Sequence, residues 1–285
     1  MKITLSQFAG FCDGVRRAYE IVSELDMATV KQPVFVLGSL VHNSDVVKKI
    51  EEKGILKIDL ESFIKSKVGE IGTLIITAHG VGPNIYAVAK EKNINLIDTT
   101  CPKVIKVQRL AQIFVKRGYT VVVVGDRQHK EVRSIFEWGA EKPVIVSDDQ
   151  DLENIELSQA KRIIILSQTT QSKEFVERVS NFIENKYEKV ERIDTICLAT
   201  NQRQGEIQEL ARENDAVVVI GSPESANSTM LYEIAKKINK NVVFIERADA
   251  LDKNFFKEIE SVAVTAGAST PSWIITAVIE KLKEC

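Results

Sequence analysis

Residues 97–101 read Ile97-Asp98-Thr99-Thr100-Cys101, and residues 193–197 repeat the phrase as Ile193-Asp194-Thr195-Ile196-Cys197. Each copy of the pattern IDTxC follows a strand-like run. A looser version, Leu5-Ser6-Gln7-Phe8-Ala9-Gly10-Phe11-Cys12, follows the first such run of the chain. Cys12, Cys101 and Cys197 therefore divide the sequence into nearly equal thirds. A period of about 95 residues is too long for a solenoid repeat and suits a repeated small α/β domain.

Outward from these phrases, short β-branched runs alternate with amphipathic stretches, the pattern of βαβ units around a mostly parallel sheet. Strands are predicted at Val34–Leu37, Leu74–Thr77, Val121–Val124, Ile163–Leu166, Val217–Ile220 and Val262–Thr265, each continuous and apolar as a strand buried on both faces should be. Between them, Val104, Val107, Leu110, Ile113 and Phe114 recur at helical spacing, opened by Pro102 and closed by Gly118. Ser44 to Gly54 reads the same way, with Ser44 or Asn43 as cap and Gly54 as the left-handed stop.

Each third thus contributes two strands that run into loops rich in Gly, Ser, Thr, Asn or His. These are GSLVHNS and AHGVGPN, then GDRQHKE and SQTTQS, then GSPESANS and AGASTPS. Ligands of open α/β sheets bind at the carboxyl ends of parallel strands, so six such loops could serve one centre. The fold class expected is α/β: three similar small domains with mostly parallel sheets in a pseudo-threefold arrangement around a central site. Their expected bounds are 1–100, including the N-terminal cysteine segment, 101–195, and 196–285 with a C-terminal helix.

Composition narrows the function. Lys and Arg total 38 against 40 Asp and Glu, a net charge of −2, without the basic excess of a sequence-independent nucleic-acid binder. Apolar runs stay far below the roughly 18 residues of a spanning helix. The start, MKITLSQFAGFCDG, lacks the apolar core and cleavage site of a secretory signal, so the cytoplasm is the default compartment. Four cysteines there are free thiols, metal ligands or catalytic groups before they are disulfides.

Taken singly, Cys12, Cys101 and Cys197 lack a C-x-x-C signature and read first as buried small hydrophobes. Their equivalent places in three repeats change that reading, because the symmetry would bring three thiols near one axis. Cys101 also precedes Pro102 and a helix, whose positive end favours thiolate. Three thiolates can hold three corners of a 4Fe-4S cluster and leave the fourth iron open to a substrate oxygen. Cys285, the last residue, has no place in the repeat.

The chain has only three histidines, His42, His79 and His129, and all three fall in polar loops after strands. A loop histidine can simply be solvated, but three of them suit an anionic ligand. The Gly and Ser content of the loops fits a phosphate ester held by backbone N–H groups at helix N-termini. Ser225, Asn227 and Ser269 are candidate side-chain donors, with plain helix capping as the alternative for the serines. Glu131 lies two residues after His129. In an enclosed site it would hold and deliver a proton, whereas on an outer helix face it would be merely solvated. Thr169 and Thr170 read as a relay for that proton or as caps of the following helix, the simpler reading.

Nine phrases in fixed order carry a family resemblance: GFCDGV at 10–15, VHN at 41–43, TAHGV at 77–81, DTTCP at 98–102, H-x-E-V at 129–132, SQTT at 167–170, TICLATNQRQ at 195–204, GSPESANS at 221–228 and TAGASTP at 265–271. Together they resemble the 4-hydroxy-3-methylbut-2-enyl diphosphate reductase family over nearly the whole chain. The resemblance implies a trefoil of three α/β domains around one oxygen-sensitive 4Fe-4S cluster per chain, with Cys12, Cys101 and Cys197 as ligands and the fourth iron open. It implies that His42, His79, His129, Ser225, Asn227 and Ser269 hold the diphosphate or hydroxyl end of an allylic substrate, and that Glu131 with Thr169 delivers protons. Two electrons and two protons would be consumed, isopentenyl and dimethylallyl diphosphates formed, and reduced ferredoxin or flavodoxin used as donor.

Two positions depart from the family pattern: Asp13, where an aromatic or apolar residue is common, and Ala226, where a second Ser is frequent. Ala226 still offers its backbone N–H, and Asp13 would add negative charge beside a cluster ligand. A quinolinate-synthase-like enzyme, also with three single cysteines, would act on dicarboxylates and fits the order of phrases poorly. A non-catalytic iron-sulfur or zinc redox sensor would need a partner surface or nucleic-acid element that the sequence does not display.

Overall fold

In the computed structural model, which describes residues 1–285, the β-branched runs become the inner strands of three four-stranded sheets, every pairing parallel. In chain order the strands are β1 (Lys2–Leu5), β2 (Val34–Leu37), β3 (Leu56–Ile58), β4 (Thr73–Ile76), β5 (Asn95–Asp98), β6 (Thr120–Val124), β7 (Val144–Val146), β8 (Ile163–Ser167), β9 (Val190–Arg192), β10 (Ala216–Ile220), β11 (Val242–Ile245) and β12 (Ser261–Ala266). The helices are α1 (Asp13–Ser23), α2 (Ser44–Glu52), α3 (Leu60–Lys65), α4 (Pro83–Glu91), α5 (Pro102–Lys116), α6 (Lys130–Trp138), α7 (Asp149–Glu153), α8 (Lys173–Lys186), α9 (Leu198–Glu213), α10 (Ala226–Ile238) and α11 (Ser272–Lys283). No helix is long and apolar enough to cross a membrane.

The chain packs as two compact units, Met1–Arg16 with Val41–Lys49 and Leu198–Cys285, and Arg17–Leu40 with Ile50–Cys197. The first unit holds the sheet ordered β1-β12-β10-β11. Successive residues of its inner strands point to opposite faces. Val218, Ile220, Val262 and Val264 pack with Ile274 and Val278 of α11, while Val217, Val219 and Ala263 pack with Ile207 of α9 and Leu231 of α10. Each Val or Ile so buried contributes about 2 kcal/mol of hydrophobic stabilisation, which is why these strands are apolar throughout.

The second unit holds the sheets β3-β2-β4-β5 and β7-β6-β8-β9, with fully apolar inner stretches at Val34–Leu37 in the first and at Val121–Val124 and Ile163–Leu166 in the second. All six predicted strands are inner strands, correct to within about one residue at each end. The predicted helix punctuation also holds: Pro102 opens α5, and Gly118 and Gly54 take the left-handed backbone with φ of 77° and 87°. Asn43, rather than Ser44, accepts the Val46 N–H at 3.1 Å in the first turn of α2.

One grouping differs. The sequence reading assigns the N-terminal cysteine segment to residues 1–100, whereas β1 hydrogen-bonds in parallel to β12, Ile3 opposite Val262. Lys2–Leu5 thereby covers what would otherwise be the open edge of β12.

Candidate active site

The repeated phrase IDTxC builds the same turn twice. Asp98 Oδ1 accepts the Thr100 N–H at 2.9 Å, and Asp194 Oδ1 accepts the Ile196 N–H at 3.0 Å. The next residue ties the turn to the neighbouring strand: Thr99 Oγ1 donates to the Ile76 carbonyl at 2.6 Å, and Thr195 Oγ1 to the Ser167 carbonyl at 2.8 Å. The cysteine then fixes its own backbone, Cys101 N–H donating to Ala78 O at 3.0 Å and Cys197 N–H to Thr169 O at 2.9 Å. Cys12 follows the same rule without the phrase, its N–H donating to Ala268 O at 3.2 Å.

Each of the three cysteines directly precedes a helix, α1, α5 or α9, where unsatisfied N–H groups favour thiolate. All three are half-buried and none is in a disulfide, whereas Cys285 is exposed at the chain end. Three soft thiolates, each ahead of a helix and each anchored through its own backbone N–H, have the donor chemistry of an iron-sulfur cluster.

Two residues that the sequence reading did not single out hold the Cys12 loop. Arg203, 5% exposed on α9, donates to Gly10 O at 2.7 Å and to Ala199 O at 2.9 Å. Glu206 accepts from Ser6 Oγ and, at 2.7 Å, from the Gln7 N–H. Gly10 itself sits at φ 95° with Thr270 O and Ile275 packed where a Cβ would stand. The only sequence signal for Arg203 was its place in TICLATNQRQ.

In the same unit, Ser225, Asn227, Ser269 and His42 form one polar cluster. Ser225 caps α10 by accepting the Ser228 N–H at 3.4 Å, and Ser269 Oγ lies 3.4 Å from Ser225 Oγ and 3.2 Å from the His42 carbonyl it donates to. Asn227 Oδ1 accepts the Ala268 N–H at 3.0 Å, which leaves its buried Nδ2 without a partner, as is Ser228 Oγ. A buried amide donor left unsatisfied costs about 1–3 kcal/mol, so these two groups call for an acceptor-rich ligand. Ala226 begins α10, and its N–H is among the first-turn donors that have no intrahelical partner. The His42 ring nitrogen Nδ1 lies 3.6 Å from the exposed Glu224 carboxylate.

The second unit brings Glu131, Thr169, His129 and His79 together. Glu131 is 2% exposed on α6. Its Oε1 accepts the Thr169 N–H at 2.7 Å and its Oε2 the Thr169 hydroxyl at 3.0 Å. Burial pushes the carboxyl up to about 7, against the lowering effect of both Thr169 donors. Burial rules out the reading of Glu131 as a solvated residue on an outer helix face. His129 caps α6 through Nδ1, which accepts the Glu131 N–H at 3.2 Å, so Nε2 carries the ring proton. The His79 ring meets that of His129 edge to face, centroids 5.3 Å apart.

Capping, the simpler reading of Thr169 and Thr170, does not hold. Ser172 caps α8 by accepting the Phe175 N–H at 3.3 Å. Thr169 is drawn inward by Glu131, and Thr170 accepts from Gln168 Nε2 at 3.1 Å.

A sequence model of the LytB protein family matches residues 3–283. The 4-hydroxy-3-methylbut-2-enyl diphosphate reductase of Caldanaerobacter subterraneus subsp. tengcongensis is 37% identical over 283 residues, covering 99% of this chain and 97% of the relative. Among solved structures, the E-1-hydroxy-2-methyl-but-2-enyl-4-diphosphate reductase of Plasmodium falciparum superposes with a TM-score of 0.90 at 31% identity, over 98% of this chain and 87% of that one. An (E)-4-hydroxy-3-methyl-but-2-enyl diphosphate reductase, described as the terminal enzyme of the non-mevalonate pathway, matches over 100% of both chains with a TM-score of 0.71 and 33% identity.

Proposed function

The chain belongs to the LytB protein family, its reaction is the reduction of 4-hydroxy-3-methylbut-2-enyl diphosphate that ends the non-mevalonate pathway, and we propose how its residues divide that work. Cys12, Cys101 and Cys197 would hold a 4Fe-4S cluster, a reading supported by their matched backbone anchors ahead of three helices. Once bound, the cluster supplies electrons, and its iron without a cysteine supplies Lewis acidity toward a substrate hydroxyl. A reduced ferredoxin or flavodoxin is the proposed donor.

Ser225, Asn227, Ser269 and the first turn of α10, with His42 beside them, hold the diphosphate. Support comes from Asn227 Nδ2 and Ser228 Oγ, buried donors that lack an acceptor. Anchoring so far from the reacting carbon positions it, so losing a donor lowers turnover as well as affinity.

Glu131 stores the proton. A carboxyl poised near 7 is about half protonated at neutral pH, whereas an ordinary glutamate is ionised there. Thr169 keeps the carboxyl aimed by gripping both of its oxygens. His79 and His129 complete this side of the site, His129 as an Nε2–H donor. In balance, the allylic C–O bond breaks, two electrons and one proton form the new C–H bond, and the hydroxyl takes the second proton and leaves as water.

The observation that carries the division of roles is Glu131, a buried carboxylic acid whose two oxygens are held by the N–H and the hydroxyl of Thr169. Anaerobic turnover with a strong artificial reductant tests it, comparing the hydroxymethylbutenyl diphosphate with dicarboxylates. Formation of isopentenyl and dimethylallyl diphosphates from the diphosphate alone is expected. Turnover of dicarboxylates instead would reject the proposed substrate side.

A further inference from the structure

Helix α6 does more than present His129 and Glu131. Glu137 and Trp138 lie three and four residues after Ser134 on it, so each neighbours Ser134 on the helix surface. That surface grips the backbone of the loop that carries His79. Trp138 Nε1 donates to the Val81 carbonyl at 2.9 Å. Ser134 Oγ, which accepts from Gln108 Nε2 at 3.0 Å, lies 3.4 Å from the His79 carbonyl. The Glu137 carboxylate faces the N–H of Gly82, the residue that caps α4 and offers no side chain for the purpose.

Two glycines make room for this grip. Gly80 takes φ 73° with Gln108 and Thr100 packed where a Cβ would stand, and a Cβ on Gly82 would collide with the Glu137 carboxylate. The Trp138 ring also meets Tyr86 edge on at 6.1 Å, and Tyr86 donates to Asp98 at 2.8 Å. Asp98 is the acid that shapes the turn leading to Cys101.

We propose that Glu137 and Trp138 are positioning residues for the reductase reaction: they lock the His79–Gly82 loop onto the helix bearing His129 and Glu131, so that the His79 ring is presented in one orientation. The inference rests on the reading of His79 as a site residue. Neither side chain need touch substrate. A displacement of about 1 Å at a substrate contact can cost on the order of a hundredfold in rate, so loosening one hydrogen bond of this loop is expected to cost about tenfold.

The bland alternative is that the two residues only add stability, and coupling to His79 separates the cases. Trp138→Phe keeps an aromatic ring but removes the indole N–H, Glu137→Ala removes the carboxylate, and Glu137→Gln keeps an acceptor for Gly82. Trp138→Phe and Glu137→Ala should each lower kcat/KM about tenfold, with Glu137→Gln close to the parent. In a His79→Ala background neither should lower it further, because the group they orient is gone. Equal losses in both backgrounds would assign a general structural role and overturn the inference while leaving His79 in the site. Parental turnover by His79→Ala alone would instead remove the reading on which the inference rests.

A second readout is independent of turnover. The chain has only three histidines, so single substitutions assign every imidazole signal in an NMR spectrum of the purified protein. Trp138→Phe and Glu137→Ala should move the signals of His79 and leave those of His42 in place. Unmoved His79 signals would contradict the proposal.

Discussion

Replacing Glu131 by Gln exchanges the acidic OH for an NH2 of nearly the same size, so the side chain keeps its shape and loses its transferable proton. The amide keeps an oxygen for the Thr169 N–H, and the Thr169 hydroxyl can turn from donor to acceptor toward the new NH2. The buried carboxyl of the parent holds its proton up to about pH 7 instead of the ordinary 4.5. General acids contribute about 100- to 10,000-fold to rate, so kcat of Glu131→Gln should fall by that factor, with substrate affinity and cluster content unchanged. The parent's kcat/KM should decline as pH rises through about 7, and this limb should vanish in the variant.

The same burial has a stability signature. Because the folded carboxyl titrates above the unfolded one, the native state loses stability as pH rises from 4.5 to about 7, a total of about 3 kcal/mol at about 1.4 kcal/mol per pH unit. Below that window the carboxyl is neutral in both states and costs nothing on this account. Glu131→Gln escapes the loss, so in urea melts it should match the parent near pH 4.5 and exceed it by about 3 kcal/mol at pH 8. Anaerobic kinetics across that range, with melts at both ends, provide the assay. Parental turnover by the variant, or an alkaline limb that persists in it, would refute the proton-donor role.

Thr169→Val removes the hydroxyl that favours the ionised form of Glu131, so the alkaline limb should move up by roughly one pH unit, and Thr169→Ser should restore it. Asn227→Asp keeps the acceptor for Ala268 but replaces the buried donor by a negative charge; calorimetry should show diphosphate binding weakened by about a hundredfold or more, and melting should fall at neutral pH because the buried charge has no partner. Ser substituted for Cys12, Cys101 or Cys197 should sharply reduce bound iron and sulfide, whereas Cys285→Ser should leave both at parental levels. Asp13→Phe removes a charge one residue from Cys12 and should raise the midpoint potential in a redox titration; an unchanged midpoint would dismiss that charge as a tuning element.

The strands legible in the sequence are the inner ones, since only a strand buried on both faces reads as an uninterrupted apolar run. Edge strands such as β3 and β9 expose most of their residues, and Lys57, Glu191 and Arg192 break the pattern that would announce them. The pairing of β1 with β12 joins opposite ends of the chain, and nothing in Lys2–Leu5 specifies that partner. Within the site, IDTxC was readable because its Asp accepts the backbone N–H two residues on, so spacing encodes the turn. The Cys12 loop was less so, because Arg203 and Glu206 hold it from α9, at the far end of the sequence. Thr169 looked like a cap for the same reason: its true partner, Glu131, lies on another helix, and local patterns carry no information about such contacts.

The central claim is that sulfur ligands from three turns, each directly ahead of a helix, bind one cluster and leave one iron for substrate. Mössbauer spectroscopy of the chain reconstituted anaerobically with iron-57 addresses it most directly, with and without the hydroxymethylbutenyl diphosphate. The account predicts a 4Fe-4S spectrum with one iron unlike its neighbours, and a change confined to that iron when the diphosphate is added. Equivalent irons indifferent to the diphosphate, or a site that takes zinc and no sulfide, would contradict it.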